Sequence, residues 1–199
     1  MESLSCMEKK TKLYAFLKKC FSKLFLWYFN AEIINKEYAN IDGPVIIACN
    51  HRNAIDPAFH VIASDRMIHY MAKKECFDNK LVSWFFKDMG CIPVDRKVKN
   101  ELAKKEAIKL LNEGFVLGIF PEGTRNRTSE LLLPFKYGAV SLAFKTGAYI
   151  VPAGITGKYK FLRKSITICF DVPYYVSGDY EKDNIELQNK VISLIRSHK

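Results

Sequence analysis

The sequence predicts an α/β fold, a largely parallel sheet flanked by helices, with an N-terminal amphipathic helical segment in front of it. Three observations carry this expectation. Short apolar runs bounded by turn residues recur along the chain. Stretches with helical apolar spacing lie between them. Ahead of residue 42 there is no such alternation, only one long amphipathic pattern. A length of 199 residues suits one substantial core, and 49% hydrophobic with 26% charged content is a globular composition. We read residues 1–40 as the helical segment and residues 41–199 as the α/β domain.

Within the first segment, residues 10–34 follow a helical period that puts Leu13, Leu17, Cys20, Leu24, Trp27 and Ala31 on one face. Lys9, Lys10, Lys12, Lys18, Lys19 and Lys23 surround that face, and Phe21, Phe25, Tyr28 and Phe29 widen it. A helix packed on the domain is the plainer reading. The breadth of the aromatic surface favours a helix lying in a membrane interface, its rings at headgroup depth and its lysines on anionic phosphates. Lys18, Lys19, Phe25, Trp27 and Tyr28 are the expected docking residues. No stretch here approaches the roughly 20 apolar residues that cross a bilayer, and residues 1–6 lack the pattern of a signal peptide. The expectation is peripheral or monotopic attachment to the cytoplasmic face of the cell membrane, on anionic lipids.

From Asp42-Gly43-Pro44, a turn signal, the alternation begins. The run 45–49 reads as a buried strand, and Asp56-Pro57 as an N-cap followed by proline in the first helical turn. Strands are expected at 68–72, 91–94, 115–120, 149–155 and 165–170. Helices are expected at 80–88, at 97–112 with Gly114 as its stop, around Val140 to Gly147, and at the C-terminus through Leu187, Val191, Leu194 and Ile195.

The formal net charge of +10 calls for an anionic partner. Its lysines are spread along helices and match no nucleic-acid motif, so nucleic acid is not the expected one. The six cysteines are scattered, with no C-x-x-C pair and no Cys/His grouping at metal spacing. They are expected to be reduced, and no metal is expected.

Ligands of such sheets bind at the carboxyl ends of strands. Three polar segments follow strands: residues 50–56, Asp95-Arg96, and residues 121–127. His51 can accept a proton at neutral pH, and Asp56 on its other nitrogen would fix the tautomer and stabilise the imidazolium. A five-residue separation requires a strand-to-helix turn between them. Asp56 as a mere helix cap is the simpler alternative. Arg96, with Arg125 and Arg127, offers forked donors suited to phosphate. Glu122-Gly123-Thr124 follows a rigid proline and can present backbone N–H groups, with Glu122 accepting from a substrate hydroxyl. Cys49 suggests a rival acyl-enzyme mechanism, but it ends a strand expected to be buried and points away from its neighbours' face.

Taken in order, Asn50-His51 with Asp56, residues 90–96, Phe120-Pro121-Glu122-Gly123-Thr124-Arg125, and Ile150-Val151-Pro152 resemble the four sequence blocks of the glycerolipid acyltransferases. The likeness is strongest to the bacterial 1-acyl-glycerol-3-phosphate acyltransferases and runs over residues 45–157. It implies that His51 is the base and Asp56 its partner. It implies further that Asn50, Arg96, Glu122, Gly123, Thr124 and Arg125 bind the acceptor, lysophosphatidate, and that Pro152 shapes the wall of the site. No cofactor is implied, only acyl-CoA or acyl carrier protein as co-substrate. Asn53 departs from the family's common serine.

Overall fold

The computed structural model describes residues 12–95, 101–159 and 166–198. In chain order the elements are α1 (Lys12–Phe29), β1 (Glu32–Ile34), β2 (Val45–Cys49), α2 (Asp56–Ala63), β3 (Ile68–Lys73), α3 (Lys80–Asp88) and β4 (Ile92–Val94). They continue with α4 (Glu101–Asn112), β5 (Val116–Ile119), α5 (Gly138–Thr146), β6 (Tyr149–Thr156), β7 (Thr167–Phe170) and α6 (Tyr180–Ser197). Among the described residues the strands form one sheet in the order β1-β7-β6-β2-β5-β3-β4. β2, β3, β4, β5 and β6 run parallel, whereas β7 is antiparallel to β6 and β1 is parallel to β7.

Every residue of β2 is buried, because it lies between β5 and β6 with helices over both faces. That is why it reads as a continuous apolar run rather than an alternating one. Its side chains still alternate between two cores. Ile46 and Ala48 join the core under α4, α5 and α6; Val45, Ile47 and Cys49 join the one under α2, where Phe59 and Ala63 pack. Gly118 in β5 stands opposite Tyr70 of β3, and a Cβ there would collide with the Tyr70 ring. A bare backbone at that point lets the tyrosine lie across the sheet.

The helical reading of 10–34 needs correction at its C-terminal end. α1 stops at Phe29, and Glu32–Ile34 is an edge strand. Asn30 and Asn35 bracket it with positive φ of 45° and 56°, the left-handed conformation asparagine tolerates best after glycine. The sheet therefore begins inside the segment assigned to the N-terminal helical unit.

One side of α1 packs on the domain, and it includes Phe25 and Lys18, two of the expected docking residues. Phe25 and Phe29 stack edge-on against Phe59 of α2, with ring centroids 4.9 and 5.8 Å away. Tyr14 is fully buried, and Lys18 Nζ donates to the Ser64 carbonyl at the end of α2. Phe25 and Lys18 thus hold the helix to the domain. Phe16, Cys20, Phe21, Leu24, Trp27 and Tyr28 are exposed, together with Lys19 and Lys23. Among the described residues no helix is long and apolar enough to cross a membrane.

A buried stack lies beneath the sheet's carboxyl edge. The His60 ring is sandwiched near Phe120 and Tyr70, its Nδ1 2.6 Å from the Tyr70 hydroxyl. Burial lowers its pKa to about 4, the charge of Asp56 opposing only in part. Above pH 6.5 His60 is neutral in both folded and unfolded chains and contributes no pH dependence. Below 6.5 the unfolded chain takes up a proton that the folded one refuses until about pH 4. Stability is therefore expected to fall across that window, by about 3 kcal/mol from this residue. Urea unfolding at pH 7.5 and 4.5 measures the drop, and His60→Gln is expected to remove most of it.

Candidate active site

β2 ends at Cys49 and α2 begins at Asp56, so residues 50–55 form the strand-to-helix turn that the His51/Asp56 pairing requires. Across this turn His51 Nδ1 lies 2.9 Å from Asp56 Oδ2. The same oxygen accepts the N–H groups of Arg52 and Asn53 at 2.7 and 2.8 Å. Asp56 makes no side-chain cap on its helix, and Pro57 fills the first turn. The cap reading is thereby replaced: this carboxylate gathers the amides that precede it and, with them, the imidazole. It is fully buried, whereas the His51 side chain keeps 15% of its surface exposed. The His51 ring stacks on Phe120 at 4.0 Å and 17°. With Nδ1 committed, Nε2 is the nitrogen left to take a proton.

Asp56 has a further partner that the sequence did not reveal. The Tyr159 hydroxyl donates to Asp56 Oδ1 at 2.6 Å. Burial, then the adjacent Asp56 charge, raises the Tyr159 pKa far above its usual value, so the phenol remains a donor. Each oxygen of Asp56 is therefore bonded, which fixes the rotamer that orients His51.

Glu122 differs from expectation. It is only 3% exposed, and its oxygens accept the backbone N–H of His51 at 2.7 Å and of Leu133 at 2.8 Å. Burial raises its pKa, and these two hydrogen bonds oppose the rise. Glu122 thus fastens the β5 loop to the turn that carries His51 instead of facing a substrate hydroxyl. Asn126 N–H closes the junction from the other side, 2.7 Å from the His51 carbonyl.

Asn50 also turns inward. Its amide exchanges hydrogen bonds with both backbone groups of Ile155, at 3.0 and 2.7 Å, and it is 1% exposed. It ties β2 to β6 and presents nothing to a ligand. Gly123, with φ 70°, spends its N–H on the Phe120 carbonyl at 2.9 Å, which removes that amide as an oxyanion donor. Its missing side chain has a clear purpose: a Cβ would sit 2.8 Å from Lys136 Nζ. Lys136, absent from the sequence-based site, is thus a cation beside the Glu122 loop. Thr124 and Arg125 are exposed on the same loop. Arg52 is exposed too, its guanidinium 3.3 Å from the Gly157 carbonyl. Arg96 lies outside the described residues. Pro152 is buried within β6, opposite Ala48.

Cys49 is fully buried, its thiol 3.4 Å from Asn50 Oδ1. Burial, reinforced by the Asp56 charge, pushes the thiol well above its ordinary pKa.

Fold and site together define a class: the chain belongs to the acyltransferase family, whose sequence model, described as Acyltransferase, matches residues 30–156. Among curated relatives, it is similar to the 1-acyl-sn-glycerol-3-phosphate acyltransferase of Bacillus subtilis, with 43% identity over 127 residues. That match covers 63% of this chain and 62% of the relative, less than two thirds of its length. Against the protein of the same description from Borreliella burgdorferi, identity is 32% over 177 residues, covering 82% of this chain and 70% of that one. The crystal structure of the 1-acyl-sn-glycerophosphate (LPA) acyltransferase PlsC from Thermotoga maritima shares the fold. The TM-score is 0.76 at 21% identity, over 98% of this chain and 84% of that one.

Proposed function

We propose that this protein transfers a fatty acyl group from a thioester, acyl-CoA or acyl carrier protein, to the free hydroxyl of 1-acyl-glycerol 3-phosphate, giving phosphatidic acid. The observation that carries the reading is the His51–Asp56 hydrogen bond of 2.9 Å, with its carboxylate buried and its imidazole open. The curated relatives described above support the acceptor.

In this reading His51 Nε2 takes the proton of the acceptor hydroxyl as that oxygen attacks the thioester carbon. The C–O bond forms and the carbonyl π electrons move to oxygen. Collapse of the tetrahedral oxyanion breaks the C–S bond, and the leaving thiolate recovers the proton from the imidazolium. Asp56 holds the tautomer and offsets the positive charge that develops. Exposed Thr124 and Arg125, joined to the catalytic turn through Asn126, are the candidate source of backbone donors for the oxyanion. Arg96, Arg125 and Lys136 supply cations for the acceptor's phosphate. The exposed part of α1, with Trp27, Tyr28 and Lys19, rests on the membrane that holds the acceptor, which is the basis for peripheral attachment; the cytoplasmic face is part of the proposal.

Transfer is direct. Because burial keeps the Cys49 thiol protonated, Cys49→Ser is expected to retain kcat within about threefold, as measured by thiol release.

The function itself is tested by assaying purified protein over glycerol 3-phosphate, lysophosphatidate and other lysolipids, each with both donors. The highest kcat/KM is expected for 1-acyl-glycerol 3-phosphate. A clear preference for another acceptor would reassign the substrate.

A further inference from the structure

The reaction engages neither α3 nor its surface, yet this helix carries an apolar face that packs on nothing described. Its N-terminus is well formed, since the Asn79 side chain accepts from the N–H groups of Leu81 and Val82. None of its residues is buried. Leu81, Trp84 and Phe85 are 79%, 59% and 40% exposed, and their i, i+3, i+4 spacing puts them on one side. Phe86 does the anchoring, 5.8 Å from the Phe77 ring, with its carbonyl accepting from Cys91 N–H. The Leu-Trp-Phe side is therefore surplus to packing, and a contiguous surface of this kind marks an interaction site.

Its place in the fold identifies the partner. The steps from β2 to β3 and from β3 to β4 move the same way across the sheet, so right-handed crossovers set α2 and α3 on one face. α1 lies on that face as well, through Phe25 and Phe29 on Phe59. α3 departs from the carboxyl end of β3, which puts Leu81 in the turn nearest the edge that bears His51, with Trp84 at the middle of the helix and Phe85 one residue further on. β1 begins opposite Thr167, itself opposite Thr156 at the carboxyl end of β6. The last turn of α1, with Trp27 and Tyr28, consequently reaches the same edge. Two exposed aromatic clusters thus flank α2, whose first residue is Asp56.

Around α3 the exposed charges are Lys73, Lys74, Lys80 and Lys87, with Glu75 and Asp78 at the preceding turn and Asp88 half-buried at the helix end. Lys80 and Lys87 run along one flank of the apolar stripe, the arrangement that lets rings enter an anionic lipid interface while ammonium groups stay on phosphates.

We infer that α3 is a second membrane-docking element, inserting Leu81, Trp84 and Phe85 into an anionic phospholipid surface alongside α1. The inference rests on the reading that the acceptor is a membrane lipid. Docking by α1 alone would permit the molecule to roll about one helix axis; two contacts fix the catalytic edge against the bilayer.

The whole sequence holds two tryptophans, Trp27 and Trp84, so each helix can report on itself. In Trp27→Phe the remaining fluorophore is on α3, and in Trp84→Phe it is on α1. Each variant is mixed with phosphatidylcholine vesicles containing phosphatidylglycerol, with and without bromine on the acyl chains. Trp84 emission is expected to shift to the blue and to be quenched by the brominated chains. Leu81→Ser/Phe85→Ser is expected to weaken vesicle binding by roughly tenfold or more. Quenching of Trp27 without quenching of Trp84 would overturn the inference and leave the surface reading standing. Quenching of neither would overturn both. A Trp84 shift that needs only higher protein concentration, or added acyl carrier protein, would assign the face to a second copy or to the carrier and overturn it as well.

Discussion

His51→Ala is expected to lower kcat by about 10³-fold, within the span general bases contribute, while leaving the protein folded. The two halves of this expectation come from the same geometry. With Nδ1 held by Asp56, Nε2 is the proposed proton acceptor, and the variant lacks it. Asp56 nonetheless keeps the N–H groups of Arg52 and Asn53 and the hydroxyl of Tyr159. The Glu122 carboxylate binds the backbone of residue 51, not its ring. A thermal melt beside the kinetic assay separates the effects: a shift of only a few degrees is expected, and near-normal turnover in a folded variant would remove His51 from the mechanism.

Asp56→Asn is expected to cost about 10² to 10⁴ in kcat and roughly 1–3 kcal/mol in stability. An asparagine has nearly the same shape but no charge. If its oxygen faces the Arg52 and Asn53 amides, the imidazolium formed during transfer loses its counter-charge. If its amide group turns toward His51 Nδ1, the imidazole proton is driven to Nε2, where no base remains. Both orientations disable catalysis by different routes. The stability loss arises because three donors converge on Oδ2, and charge-assisted bonds are the stronger ones. Denaturant unfolding and kcat measured on the same preparation check both numbers, and retention of full activity would contradict the role given to the carboxylate.

Much of this architecture is legible in local sequence. The helix expected at 80–88 is α3 to the residue, and β2 follows from five apolar residues between a turn and a polar cluster. β1 is not, because Ile33 and Ile34 continue the apolar rhythm of α1. The usable signal is the asparagine at each end of it, which the backbone holds at positive φ. Which side of α1 packs is not legible for a related reason: an apolar pattern that covers most of a helix does not say which part meets the domain. Phe25 and Phe29 turn to Phe59 of α2, and Tyr14 is buried.

The site shows the same division. His51 and Asp56 are close in sequence, and the turn that joins them is readable. Tyr159 lies 103 positions from its partner Asp56, and Lys136 meets Gly123 only because the chain returns after the Glu122 loop. No spacing rule connects such pairs. Asn50 and Glu122 have polar side chains at a strand end, a description that fits a ligand contact and an internal clasp equally well. The sheet decides it, by placing the Ile155 backbone beside one and the His51 and Leu133 amides beside the other.

A single-turnover experiment tests direct transfer most directly. Purified enzyme is mixed with acyl-CoA or acylated carrier protein, thiol release is followed, and 1-acyl-glycerol 3-phosphate is then added. Direct transfer predicts no thiol before the acceptor and, after it, thiol and phosphatidic acid in equal amounts. A burst of thiol matching the enzyme concentration before the acceptor arrives, or no release once it has, would contradict the mechanism.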